Sequence, residues 1–69
     1  MNLRRFQEFD SIVSKRDLEN VPKGTKGVIL LVFESLQDYE VEFLDEDGTT
    51  INVLTVNEND IELRYKSKS

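Results

Sequence analysis

Apolar residues recur along this 69-residue chain with the spacing of β-strands. The run from Gly27 to Phe33 is almost continuously apolar, which is typical of a strand covered on both faces. Apolar and acidic residues alternate between Tyr39 and Phe43, so this segment predicts a half-buried strand with its two glutamates turned outward. Shorter apolar segments predict three further strands, at residues 12–13, 49–56 and 61–63.

Glycine, proline, asparagine and aspartate mark the turns between these strands. The segment Asn20–Gly27 contains the only sustained cluster of turn residues, and we interpret it as a loop. The segment Asp45–Gly48 predicts a hairpin in which Gly48 supplies the positive φ that closes the turn. Asn57–Asp60 predicts one more tight turn.

These elements predict an all-β fold, either a small five-stranded SH3-like barrel or a strongly bent antiparallel meander. Residues 1–69 would form a single small β-barrel domain, with residues 1–8 and 65–69 peripheral or frayed. The apolar face of the fourth strand changes between Val53 and Leu54, which predicts a β-bulge. We predict a core without room for a ligand cavity, made of Ile12, Leu18, Val21, Val28, Leu30, Val32, Tyr39, Val41, Phe43, Ile51, Val53, Val56, Ile61 and Leu63.

The composition excludes several kinds of chemistry. The chain contains no cysteine and no histidine, so disulfides, thiolate metal sites and histidine-dependent catalysis are excluded. The serines and threonines therefore lack the usual activating base, and we expect no enzyme activity, no cofactor, no metal and no small-molecule substrate. Neither a signal peptide nor a membrane-spanning segment is visible, so we expect a cytoplasmic protein that does not bind membranes.

The charges of the chain are segregated along its length. From Gly27 to Leu63 there are ten carboxylates and no lysine or arginine, while all nine basic residues lie outside this stretch. Like charges at this density repel one another and oppose compaction, so we interpret the stretch as a surface that binds a positively charged protein. The candidate partner-binding residues are the carboxylates of the third predicted strand and its hairpin: Glu40, Glu42, Asp45, Glu46 and Asp47.

Two other interpretations of these carboxylates are disfavoured. Glu40 and Glu42 would lie about 7 Å apart on one strand face, but a glycosidase pair needs a cleft and none is expected beside them. A calcium loop that begins at Asp45 needs glycine sixth and glutamate twelfth, whereas Gly48 is fourth and Val56 is twelfth. We therefore interpret the glutamates as a solvated strand face or protein interface, and the glycine as part of a hairpin turn.

A basic loop supports an alternative. Lys23 and Lys26 flank Gly24 in a turn like those of nucleic-acid-binding small barrels, with Lys15 and Arg16 nearby. On so small a protein, however, the acidic stretch lies within about one to two Debye lengths of this loop and would repel a phosphate backbone. Nucleic-acid binding is therefore the alternative and not the favoured function.

The segment from Asp38 to Val56, followed by Asp60-Ile61, resembles a family of small bacterial proteins of unknown function. It shares with that family a tyrosine-led acidic strand, an acidic-glycine hairpin and a Thr-Ile strand that ends in Thr-Val. The Asp17-Leu18 step and the segment Gly24-Thr-Lys-Gly27-Val-Ile are similar to the family's opening, although Thr25 stands where the family has an acidic residue. The resemblance covers roughly residues 9 to 63 and implies an SH3-type barrel without known catalytic residues.

The genes of that family often lie beside short toxin-like genes, which implies an antitoxin or immunity role for some members. A dense carboxylate surface resembles a phosphate backbone and matches the basic groove of a nuclease. Our hypothesis is a non-enzymatic protein-binding domain, an immunity protein or antitoxin that neutralises a basic, nuclease-type toxin through its acidic face. The alternatives are a nucleic-acid-binding small barrel and an accessory protein-interaction module.

Overall fold

The computed structural model describes residues 5–35 and 37–67. Within these residues the chain forms strands wherever the sequence predicts them, together with one turn of 3-10 helix between the last two strands. The strands are β1 (Ser11–Ser14), β2 (Lys26–Val32), β3 (Asp38–Leu44), β4 (Thr50–Asn57) and β5 (Ile61–Tyr65), and the 3-10 turn is Glu58–Asp60.

All five strands belong to one antiparallel sheet in the order β4-β3-β2-β1-β5. Strand β1 pairs with both β2 and β5, so the chain's last strand returns to the opposite end of the sheet from β4. The two edge strands, β4 and β5, form no ladder with each other. The predicted all-β fold is confirmed in its second form, a bent meander, because the sheet does not close into a barrel.

The predicted turns are also present. The hairpin Asp45–Gly48 joins β3 to β4, and Gly48 has the expected positive φ of 85°. The segment Asn57–Asp60 forms the 3-10 turn, and Asn57 is its N-cap. The side chains of Asn57 and Asp60 accept hydrogen bonds from backbone N–H groups of this segment and form a capping box. The loop predicted over Asn20–Gly27 ends earlier than expected, since β2 begins at Lys26.

The core lies on one face of the sheet and includes every inward residue predicted for β3. The pattern missed two of its members, Phe6 and Ile29. Phe6 packs edge-on against Tyr39, with ring centroids 5.3 Å apart, and its backbone N–H donates to the Tyr39 hydroxyl at 3.2 Å. The buried apolar residues are Phe6, Ile12, Val21, Ile29, Tyr39, Val41, Phe43, Val56 and Ile61, with Leu18, Val32 and Leu54 partly buried against them.

The inner face of β2 is the reverse of the prediction before the register shift, whereas Val32 packs against the core as predicted. The pattern places Val28 and Leu30 inside, but Ile29 is fully buried and Leu30 is 38% exposed. An uninterrupted apolar run has no alternation that defines its inner face, so the pairing with β3 decides it. In that pairing Ile29 lies opposite Val41 and shares its face, and the register shifts directly after Ile29.

Strand β4 differs from the prediction as well. Ile51 and Val53 are predicted to be inside, but they are 39% and 41% exposed, while Leu54 and Val56 pack on the core side. The expected bulge between Val53 and Leu54 is wrong, because β4 keeps its phase through this segment. The irregularity lies nearer the hairpin, where Ile51 is an extra residue without an opposite in β3.

The position of Leu63 on β5 is predicted correctly but its burial is not. Leu63 lies opposite the buried Ile12, on the expected face, yet it is 40% exposed. Strand β5 pairs only with β1, so no further strand covers Leu63 on its outer side. An edge position therefore leaves part of an inward side chain in solvent.

Gly27 lies on the inner face of β2, opposite Phe43. A β-carbon at this position would lie 2.8 Å from Val41 Cγ1, which is closer than packed atoms approach, and 3.0 Å from the Glu42 carbonyl oxygen, which is tighter than most packing contacts. We expect Gly27→Ala to lower the free energy of unfolding by about 1–3 kcal/mol, because β2 and β3 would have to separate. Lys26→Ala, at the exposed neighbouring position, should change it by less than about 0.5 kcal/mol in the same urea titration. Equal effects would contradict the close packing.

Phe43 and Glu40 test the assignment of inner and outer faces on β3. Phe43 is fully buried, so we expect Phe43→Ala to destabilise the domain by about 3–5 kcal/mol. Glu40 points away from the core, and Glu40→Ala should stay within about 0.5 kcal/mol of the wild type or stabilise slightly by removing a like charge. Chemical denaturation followed by circular dichroism measures both values, and similar losses would mean that the faces are reversed.

Candidate protein-interaction surface

The two glutamates of β3 lie on the sheet face opposite the core. Tyr39, Val41 and Phe43 are buried, so the alternation of the strand turns Glu40 and Glu42 outward, as predicted. Strand β3 lies between β2 and β4. Both glutamates are only partly exposed, because side chains of the two neighbouring strands stand beside them.

Those neighbouring side chains are mainly apolar. Glu42 lies in a cross-strand row between Val28 of β2 and Val53 of β4. In the next row, Glu40 lies between Leu31 of β2 and Thr55 of β4. Residues opposite one another in a sheet share a face and contact each other. Three of the four cross-strand neighbours of Glu40 and Glu42 are therefore aliphatic.

The two carboxylates differ in their hydrogen bonding. Glu42 Oε2 accepts a hydrogen bond from the Thr50 hydroxyl on β4. Glu40 has no hydrogen bond or ion pair through its side chain to any other residue that the structure describes. A half-buried carboxylate without a cation nearby retains its full attraction for a cation from another molecule.

The hairpin carries the other three predicted partner-binding residues. Asp45 Oδ1 accepts hydrogen bonds from the backbone N–H groups of Asp47 and Thr49, both at 2.9 Å. Asp45 therefore shapes the turn, while Glu46 and Asp47 are exposed at its tip. All five predicted residues follow one another along β3 and its turn, and from here we call Glu40, Glu42, Asp45, Glu46 and Asp47 the acidic surface.

Other carboxylates of the acidic stretch hold loops in place. Asp60 forms an ion pair with Arg16, with Nη2 and Oδ1 2.7 Å apart, and accepts a hydrogen bond from the backbone of Asn57 at 2.9 Å. Asp38 accepts hydrogen bonds from the Asn57 side chain at 3.3 Å and from the Ser35 hydroxyl at 3.1 Å. Part of the negative charge of the sequence thus stabilises loops, and another part lies on the acidic surface.

The fold also brings two lysines to the base of the hairpin. A shallow hollow of about 240 Å³ is lined by Lys23 and Lys26 together with Asp45 and Glu46. Charges that are far apart along the chain therefore meet at this end of the acidic surface. The carboxylates beside the lysines oppose the approach of a phosphate backbone to the Lys23–Lys26 loop.

The described residues contain neither a cluster of metal-ligating side chains nor a long apolar helix. Among them, no three aspartates or glutamates are grouped closely enough to hold a metal ion. The described part of the chain also has no helix of the length and apolarity that crossing a membrane requires.

Residues 8–63 match the family model of a domain of unknown function, DUF4926. The chain belongs to this family. The matched residues include strands β1 to β4 completely and β5 as far as Leu63, so the sheet and the acidic surface are both parts of the DUF4926 domain. No curated protein and no solved structure matches the chain.

The sequence pattern indicates the acidic residues of this surface but not their apolar neighbours. It placed Val28 and Val53 in the core, and it did not assign Leu31. A signal was present, because the run that forms β2 is apolar at consecutive positions and must present apolar side chains on both faces. The same holds for Val53 and Leu54, which are adjacent in β4 and face opposite sides.

The hydrogen bonds of Asp45 give a test of the hairpin. We expect Asp45→Ala to destabilise the domain by about 1 kcal/mol, because two backbone N–H groups lose their acceptor. Asp45→Asn keeps an oxygen in the same place and should lose much less. Asp47→Ala, at an exposed neighbouring position, should change the free energy of unfolding by less than about 0.5 kcal/mol. A thermal denaturation series measures all three, and an equal loss in the alanine and asparagine variants would contradict the acceptor role.

Proposed function

We propose that this domain is a non-enzymatic protein-binding module whose acidic surface binds a basic protein. The observation that carries the proposal is the continuous series of carboxylates along β3 and its hairpin. Among the described residues, none of these five carboxylates forms an ion pair within the domain. A binding surface of one charge sign attracts a partner of the opposite sign and accelerates the encounter of the two proteins.

The partner class we favour is a nuclease-type toxin, which makes the domain an immunity protein or antitoxin in the cytoplasm. Enzymes that cut RNA or DNA bind their substrate in basic grooves, and carboxylates on a rigid strand imitate the spacing and charge of phosphates. The resemblance to bacterial proteins encoded beside toxin-like genes supports the same choice. The absence of histidine and cysteine from the sequence supports a binding role over a catalytic one.

The kinetics of association test this function. The partner is first isolated from the native host with the tagged domain and identified by mass spectrometry. We expect the double variant Glu42→Lys/Asp47→Lys to associate with it about ten to a hundred times more slowly than the wild type, because electrostatic steering is reversed. Raising the ionic strength should reduce this difference, since salt screens the exposed charges.

A control variant separates the effect of the acidic surface on the association rate from the effect of net charge. Glu8→Lys/Glu62→Lys makes the same change in charge at two exposed positions outside the acidic surface. It should slow association much less than the first variant. An acidic partner, or rates that respond to neither salt nor the first variant, would contradict the proposed function. Retention of the wild-type domain on a polyanion column, lost in Lys23→Ala/Lys26→Ala, would instead favour the nucleic-acid alternative.

A further inference from the structure

The face of the sheet that carries Glu40 and Glu42 places mainly aliphatic side chains beside them, and several of these side chains are exposed in the described part of the chain. Leu31 and Val53 on this face are 42% and 41% exposed. Leu30 and Ile51, at the two register shifts beside it, are 38% and 39% exposed. We call this the β2–β4 outer face and define it by the two cross-strand rows that contain the glutamates: Val28, Leu31, Glu40, Glu42, Val53 and Thr55. The next row on the same face consists of Lys26, Leu44 and Thr50.

The composition of β2 makes this exposure unusual. A strand that is apolar on both faces is typical of sheets covered on both sides. In this domain the core covers one side of β2, and the described residues leave the other side open. Clustered exposed aliphatic side chains rimmed by polar groups mark surfaces that bind another molecule.

Charge argues against a second copy of the same chain as that molecule. Two copies packed face to face would bring Glu40 and Glu42 of one against the same carboxylates of the other. Desolvated like charges at a shared interface are unfavourable, and no lysine or arginine lies in the rows that contain these glutamates. The one cation of the adjoining row, Lys26, lies at the end of this face, beside Asp45 and Glu46 of the hairpin. The occupant of this face must therefore supply both apolar surface and positive charge.

We propose that the β2–β4 outer face binds an amphipathic basic α-helix of the partner protein. The inference rests on the proposed function and specifies the element of the partner that makes contact. The helix lies along β3, its aliphatic side chains pack on Leu31 and Val53, and two of its arginines or lysines pair with Glu40 and Glu42.

The dimensions of a helix match this face. Strands β2 and β4 are about 10 Å apart across β3, which is close to the diameter of a helix with its side chains. Glu40 and Glu42 are two residues apart on a strand, or about 7 Å, and helix side chains at positions i and i+4 are separated by about 6 Å. Arginine and lysine also have long apolar stems, which would lie on Leu31 and Val53 while their charged ends reach the carboxylates.

Synthetic peptides test the inference without the natural partner. The probe is a leucine-arginine peptide of about 18 residues with two arginines one helical turn apart between leucine stripes, and its control is a scrambled peptide of the same composition. Binding to the full-length domain is measured by fluorescence anisotropy, and the contact surface is mapped by amide chemical shifts. We expect the largest shifts in β2, β3 and β4, with affinity for the scrambled peptide about tenfold lower or weaker still.

Variants of the domain separate the apolar and charged contributions. Leu31→Ser/Val53→Thr should weaken peptide binding about tenfold, whereas Leu63→Ser, of similar exposure on β5, should bind like the wild type. Glu40→Gln should weaken binding a few-fold and reduce its dependence on salt. Circular dichroism verifies that each variant is folded. Equal binding of both peptides, unchanged binding by Leu31→Ser/Val53→Thr, or shifts confined to other strands would overturn the inference.

The same variants distinguish this inference from the proposed function. With the natural partner, Leu31→Ser/Val53→Thr should increase the dissociation rate about tenfold and leave the association rate unchanged, since the charges are intact. If this variant dissociates like the wild type while Glu42→Lys/Asp47→Lys still slows association, the acidic surface binds without the apolar face and only the inference fails. Self-association in sedimentation experiments that Leu31→Ser/Val53→Thr abolishes would assign the face to a second copy and also overturn it.

Discussion

The pairing of β2 with β3 decides which side of this small sheet becomes the core. Gly27 lies opposite Phe43, and because Gly27 has no side chain, Val41 and Phe43 can pack over β2 at that point. Once this pair is in register, Ile29 must face Val41, since successive residues of a strand point to opposite faces. A shift of one residue would bury the glutamates of β3 and expose its aromatic residues. The core and the acidic surface are therefore two consequences of one register.

A domain of this size needs stabilising contacts in addition to its apolar core, because that core is small and the chain has no cysteine for disulfides. The buried carboxylate of Asp10 provides one, because it accepts hydrogen bonds from the backbone N–H of Gln7 at 2.9 Å and of Ser67 at 2.6 Å. A single side chain thus connects the segments at the two ends of the sequence. The hydroxyl of Tyr39 fixes the start of the chain in the same way, through the backbone of Phe6. Both links join residues that are distant in the sequence, so they hold the flanking segments against the rest of the fold.

The functional proposals follow from what the fold does with its negative charge. Carboxylates at loops are used internally, as in the ion pair of Asp60 with Arg16 and the hydrogen bonds of Asp38. Those on β3 and its hairpin remain directed outward, and on β3 they stand among aliphatic side chains. A surface that combines exposed apolar area with carboxylates that lack an ion-pair partner binds more selectively than a surface with either property alone, because a partner must satisfy both. This combination distinguishes the face from a generally acidic surface that only keeps a protein in solution.

The sequence by itself determined the strands, the hairpin and the outward glutamates, because alternation in β3 and the glycine of Asp45–Gly48 are local signals that no distant contact reversed. It could not determine the inner face of β2, where consecutive apolar residues satisfy either phase, nor the exposure of Val53 and Leu63. Those depend on which strands are neighbours and which lie at an edge. For the same reason, the sequence alone did not predict the apolar neighbours of the two strand glutamates. Only the register of β2 and β4 against β3 brings aliphatic side chains beside Glu40 and Glu42, since cross-strand proximity is a property of the sheet and not of any one segment.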